Sequence, residues 1–92
     1  MRLDKFLKYS GIMKRRTLAK RLCDSRRCSI NGRKAKPGSA VAVGDIIKLL
    51  IGMTVAEHEV LELMTHEVRK DQRDQYSRPV SSERVDPMDG LT

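Results

Sequence analysis

KRRTLAKRLCDSRRCSINGRKA, residues 14–35, carries two different periodicities in one run. In its first half Leu18, Ala19, Leu22 and Cys23 fall within a single arc at helical spacing. Arg16 and Lys20 stand one turn apart on the opposite side, with Thr17 and Arg21 in the adjacent row. A helix over residues 14–25 is expected, with the four apolar side chains, Leu18 among them, holding it to a core. In the second half Asn31-Gly32 separates two short extended runs. A two-residue hairpin turn needs positive φ at both positions, and Asn-Gly supplies it. Ser29-Ile30 and Arg33–Ala35 are then the paired arms, and Asn31 and Gly32 shape the turn.

Upstream, RLDKFLKY, residues 2–9, places Leu3, Phe6 and Leu7 on one helical face. Asp4 sits in the first turn, where a carboxylate suits the helix dipole or a salt bridge to the second helix. Ser10-Gly11 marks the break. Downstream, residues 36–39 form a loop, Val41 and Val43 alternate with alanines, Gly44-Asp45 is a turn, and Ile46–Ile51 reads as a buried strand interrupted by Lys48. Residues 53–63 are ambiguous. Thr54 with Glu57 resembles a capping box, and Val60, Leu61, Met64 and Val68 recur at helical spacing. Gly52, however, closes the preceding strand like a turn, and a returning strand would complete a small sheet. From residue 64 to 92 the chain reads as a polar, largely flexible extension, with a turn of helix around Asp71–Tyr76. Residues 1–63 are the expected domain.

Composition narrows the function. No run approaches the roughly 18 apolar residues of a membrane span, and the N-terminus lacks the apolar region of a signal peptide, so a cytoplasmic protein without membrane contact is expected. Aromatics are 3% of the 92 residues, too few for base stacking to be a main binding mode. Cys23 and Cys28 read as two small buried hydrophobes, and no zinc pattern is present. Residues 1–36 hold 13 lysines and arginines against two acids, a balance of +11, whereas residues 37–92 hold six against ten. Charge concentrated in this way attracts polyanions, and nucleic acid leads.

No phosphate loop, nucleophile elbow or paired-histidine motif supports catalysis, and His58 among glutamates reads as a surface residue. A binding module without cofactor or metal is expected. Its cations are Lys14, Arg15 and Arg16 at the start of the second helix, Lys20 and Arg21 along it, and Arg33, Lys34 and Lys36 on the hairpin and loop. Lys14, Arg15 and Arg16 crowd a helix start whose dipole disfavours them, which points to a role other than helix stability. A DNA reader would present Asn, Gln, Ser or Thr to base edges, and only Thr17 and Ser25 could serve. Backbone and shape recognition of structured RNA fits better, and a DNA-binding regulator is the rival from another class.

The run RLDKFL, then KRRTLAKRL, SINGRKAKPGSAV and VGDII resembles an S4 RNA-binding domain over residues 1–63. The resemblance implies an α+β S4 (alpha-L) fold, two N-terminal helices on a small twisted sheet followed by a flexible tail, and it makes residues 53–63 a strand. RLDKFLKYS with KRRTLAK is most similar to the free-standing RqcP family, which is related to the heat-shock S4 proteins. That implies a non-enzymatic monomer that binds obstructed large ribosomal subunits through 23S rRNA and P-site tRNA and supports alanine tailing by an RqcH-type factor, touched directly or not. A heat-shock-type protein recycling blocked subunits is the alternative. Arg2 and Lys5 of the first helix join the expected RNA contacts on this ground. Two departures stand out: Gly11, where the family often has a cation, and Arg26, where it usually has glycine. If position 26 needs positive φ, Arg26 is strained.

Overall fold

The computed structural model describes residues 1–84. Helix α1, Leu3–Tyr9, places Leu3, Phe6 and Leu7 at 0% exposure along its inner face. Its start is fixed to the loop that precedes the central strand. The Leu3 amide donates to the Ser39 carbonyl at 2.8 Å, the Asp4 amide to Pro37 at 3.1 Å and the Val41 amide to Met1 at 2.8 Å. Ser10 ends the helix, and Gly11 follows at φ 84°.

Helix α2 spans Arg16–Asp24, two residues later than its periodicity suggests. Arg15 is extended, and the Met13 amide donates to the Leu7 carbonyl at 2.8 Å, so residues 11–15 fold back on α1. The buried face of α2 centres on Ala19 and Cys23, with Leu22 packed beside them. Leu18 is 43% exposed and lies outside the core, contrary to its place in the apolar arc. The arc is wider than the contact, and the α1 seam takes only its inner edge.

The end of α2 explains Arg26. The Arg26 amide donates to Cys23 at 3.1 Å and the Arg27 amide to Leu22 at 3.2 Å, the paired bonds of a Schellman cap. That cap needs a left-handed residue, and Arg26 supplies it at φ 62°.

Five antiparallel strands follow in the spatial order β2-β1-β3-β4-β5: β1 Cys28–Ile30, β2 Arg33–Lys34, β3 Ile46–Ile51, β4 Thr54–Val60 and β5 Ser77–Arg84. The β1–β2 turn is the expected one, with Asn31 at φ 53° and Gly32 at φ 84°. Asn31 also locks the turn to the rest of the sheet. Its Nδ2 donates to Asp45 Oδ1 at 3.0 Å, and its Oδ1 accepts from the Ile46 amide at 2.9 Å. Strand β3 alternates: Ile47 and Leu49 are at 0%, and Lys48 between them faces solvent.

Residues 54–60 are a strand, as the resemblance implies and against the helical local pattern. Six residue pairs with β3, from Ile46↔Glu59 to Ile51↔Thr54, decide it. Val60, Met64 and Val68 are all buried, but at the strand end and in the following loop rather than on a helix.

The sheet also extends past residue 63. Where sequence expects a largely flexible extension, Lys70–Gln75 form a 3₁₀ turn and β5 pairs with β4 from Ser77 to Arg84. The helical turn expected at Asp71–Tyr76 is this 3₁₀ segment. β5 escapes local reading because it is polar and contains Pro79, a residue tolerated on an edge strand. The rest of the expected tail, residues 85–92, lies outside the described residues.

Arg26→Gly relieves the left-handed strain and is expected to stabilise the fold by about 1 kcal/mol, or about 4–8 °C in Tm for a domain of this size. A thermal melt checks it, and an unchanged Tm would contradict it. Leu18→Ala is expected to cost less than about 1 kcal/mol, against about 2–5 kcal/mol for Leu49→Ala.

Candidate nucleic-acid interface

Five of the expected site residues, Arg2, Arg16, Lys20, Lys34 and Lys36, line two concavities. The first forms where α1 and α2 meet and is lined by Arg2, Asp4, Arg16, Thr17 and Lys20. At its floor Asp4 is 1% exposed. A buried carboxylate is costly unless donors surround it, and Asp4 has three sources. Its Oδ1 accepts from the Lys5 amide at 2.8 Å and from Arg2 Nε at 3.1 Å. Its Oδ2 accepts from Arg2 Nη2 at 3.3 Å and from Arg16 Nε at 3.4 Å. Burial works against the charge, but the Lys5 amide and the guanidinium groups of Arg2 and Arg16 outweigh it and hold the carboxyl below the ordinary aspartate range. The structural role read for Asp4, an ion pair with the second helix, is therefore present.

Each guanidinium is also presented outward. The Arg2 and Arg16 side chains stay 49% and 47% exposed. Arg16 thus does more than point away from the core: Arg16→Ala removes a partner from a buried charge as well as a surface cation. Lys20 lines the same hollow one turn along α2. Lys14 and Arg15 are exposed just before the helix begins. Lys5 belongs to a neighbouring cavity of about 560 Å³ that it shares with Arg2 and Tyr9.

The second concavity, about 540 Å³, lies between the end of α2 and the hairpin, with Arg26, Lys34 and Lys36 around Cys23 and Asp24. Lys34 Nζ reaches the Arg26 carbonyl at 3.5 Å. Beyond it a third hollow joins Arg26, Arg27, Lys34 and Lys48. Arg27 and Lys48 are not among the cations expected as contacts. The signal for Lys48 was available, since a lysine interrupting an apolar strand marks its solvent face. Arg21 and Arg33 are exposed but line none of these hollows.

The two thiols are buried at 2% exposure, with Cys23 Sγ 3.1 Å from Cys28 Sγ. The hydrogen bond between them and burial push the Cys28 thiol up, so it carries no charge near neutral pH. Both belong to the hydrophobic core, as their reading as small hydrophobes requires, and Cys23 also lines the second concavity. His58 is half-buried in β4 rather than a surface residue, and burial lowers its pKa. Among the described residues no cluster of three or more His, Cys, Asp or Glu is placed to hold a metal ion, and no helix is long and apolar enough to cross a membrane.

Comparison with known proteins places the chain by sequence and by fold. The S4 domain family profile matches residues 1–47. A relative from Bacillus subtilis (strain 168), named RQC P-site tRNA stabilizing factor, is 43% identical over 77 residues, covering 84% of this chain and 90% of its own. A heat shock protein 15 homolog from Aeromonas salmonicida is 37% identical over 70 residues, 76% of this chain and 52% of its own. Among solved structures, the trimeric heat shock protein 15 of Vibrio cholerae superposes with a TM-score of 0.80 at 26% identity, covering 88% of this chain and 82% of that one.

Because the Asp4 carboxyl titrates lower in the folded chain than in the unfolded one, its stabilisation is complete above the ordinary value of 3.8 and fades as pH falls through the folded value. Asp4→Asn is expected to cost about 1.5–3 kcal/mol at neutral pH. It should also flatten the loss of stability below about pH 4, as read from urea midpoints across the acid range.

Proposed function

The chain belongs to the S4 domain family, and within it to the RQC P-site tRNA stabilizing factors; from that premise we propose that it is a non-enzymatic RNA-binding factor of ribosome-associated quality control. It binds the obstructed large ribosomal subunit in the cytoplasm, meeting 23S rRNA and the P-site peptidyl-tRNA. By holding that tRNA it supports alanine tailing by an RqcH-type factor, with no direct contact to that factor required.

The observation that carries this reading is the helix junction. Asp4 fixes the guanidinium groups of Arg2 and Arg16 side by side while leaving each about half-exposed. A planar fork held in place loses little freedom on meeting a phosphate, and its unused donors remain available. Lys14, Arg15 and Lys20 surround this pair, and Lys5 adjoins it. Arg21, Arg33, Lys34 and Lys36 extend the same charge toward the hairpin. Thr17 alone accompanies the cations of the helix-junction hollow as a base-reading candidate, and so small an inventory favours backbone recognition. We take the acting unit to be one chain: the sheet's β2 edge is two residues long and both are charged, which blunts pairing between copies.

A second reading, recycling of blocked subunits without support for tailing, draws on the likeness to heat shock protein 15. Cells lacking the gene decide between them: lost alanine tails support the first reading, and normal tails support the second. The shared RNA-binding step has its own test. Each neutralised phosphate is expected to add about 0.7–0.9 to the log–log salt slope of affinity for large subunits bearing peptidyl-tRNA. Affinity that barely changes from low to high salt would exclude an electrostatic clamp. Arg16→Ala is expected to weaken that affinity and also to lower Tm, because Asp4 then keeps only Arg2 and the Lys5 amide.

A further inference from the structure

Arg73 belongs to the 3₁₀ segment before β5, yet its side chain lies over the end of α1. A Cβ on Gly11 would sit 2.1 Å from Arg73 Nε and 2.4 Å from Cζ. Gly11 stands at φ 84°, where a side chain is strained in any case. The missing side chain at 11 and the arginine at 73 therefore occupy one space.

That arginine has an unused donor. Its Nε is buried and has no hydrogen-bond partner among the described residues. Buried N–H groups nearly always have an acceptor, and those that lack one require a reason. Glu67, a nearby carboxylate, does not provide the acceptor. It is bound to Lys8 Nζ at 2.6 Å, and that bond, with a smaller electrostatic contribution from Arg73, holds it below the ordinary glutamate range. Lys8 is thus ion-paired at this corner, whereas Arg73 forms no ion pair among the described residues. The position also matters. Gly11 precedes Lys14 by three residues, so their Cα atoms are at most about 11 Å apart. Arg73 therefore stands at the border of the cationic loop that opens α2.

We propose that Arg73 is a phosphate-binding residue: seated over Gly11, it takes one phosphate of the bound RNA beside those met by Lys14 and Arg15, and so makes the C-terminal segment part of the RNA face. The proposal rests on the RNA-binding reading above. The competing role is purely structural, with a cation pinning the 3₁₀ segment to the negative end of α1. The two roles move different observables.

The experiment measures affinity of the full chain for large subunits bearing peptidyl-tRNA between 50 and 200 mM KCl, with Tm measured alongside. Arg73→Gln is expected to make the log–log slope shallower by about 0.7–0.9, so that wild type loses roughly threefold more affinity than the variant over that range. Arg73→Lys is expected to restore the slope. The exchange Gly11→Arg with Arg73→Ser returns a cation to the same space and is expected to recover the slope even where Tm falls. An Arg73→Gln chain with lowered Tm and an unchanged slope overturns the proposal and leaves the RNA reading intact. A wild-type chain with no salt-dependent binding overturns both.

Discussion

One buried carboxylate holds the two functional halves of the helix pair together. Asp4 is the only acid in α1, and at 1% exposure it would be a severe cost without partners. Its partners are the first-turn amide of Lys5, the capping residue Arg2, and Arg16 at the first turn of α2. The crossing of the helices and the display of the arginines are therefore the same set of bonds. A basic surface built without Asp4 would leave Arg2 and Arg16 free to swing and to repel one another. With Asp4 they are held close, and the nearby positive charge is partly balanced from below. This also explains why a chain segment so poor in acids spends one of its two on an interior position.

The hairpin side depends on a second small set of bonds. Asn31 and Asp45 join the β1–β2 turn to the start of β3, and the Asp45 backbone in turn meets β4 through the Val60 amide at 2.9 Å. Lys34 and Lys36 owe their place beside the end of α2 to that anchorage. Helix end and hairpin are joined by only Ser25, Arg26 and Arg27, so the Schellman turn sets the angle between them. The strained φ of Arg26 is borne where glycine would relieve it, and the side chain gained there adds to the charge around the second concavity.

What the sequence made legible was local. The α1 face, the Asn-Gly turn and the outward cations of α2 follow from spacing alone, and Asp4 was recognisable as a structural charge. Leu18 was misread because a wide apolar arc does not say which edge meets the neighbouring helix; Ala19 and Cys23, small enough for close approach, took the seam. Strand β4 was undecidable from its own residues, since its conformation is settled by a ladder with β3, and only the family resemblance chose correctly. β5 was invisible for the same reason, its polar face and Pro79 masking a partner that lies in β4. Of the cations, Arg2, Lys5 and the departure at Arg26 entered mainly through the resemblance. Arg73 was not legible at all, because nothing near it in the chain indicates that it fills the space left by Gly11.

The late pairing of β5 has a consequence for how the chain behaves before it is complete. Strand β4 offers a row of backbone donors and acceptors seven residues long on the side away from β3. Until residues 77–84 have left the ribosome, that row is an open template, flanked by Val55 and Val60 and able to recruit a strand from any other unfinished chain. The opposite edge needs no such cover, because β2 is too short and too charged to serve as one. Truncation upstream of Ser77 would therefore leave an aggregation-prone chain while keeping every helix-borne cation in place.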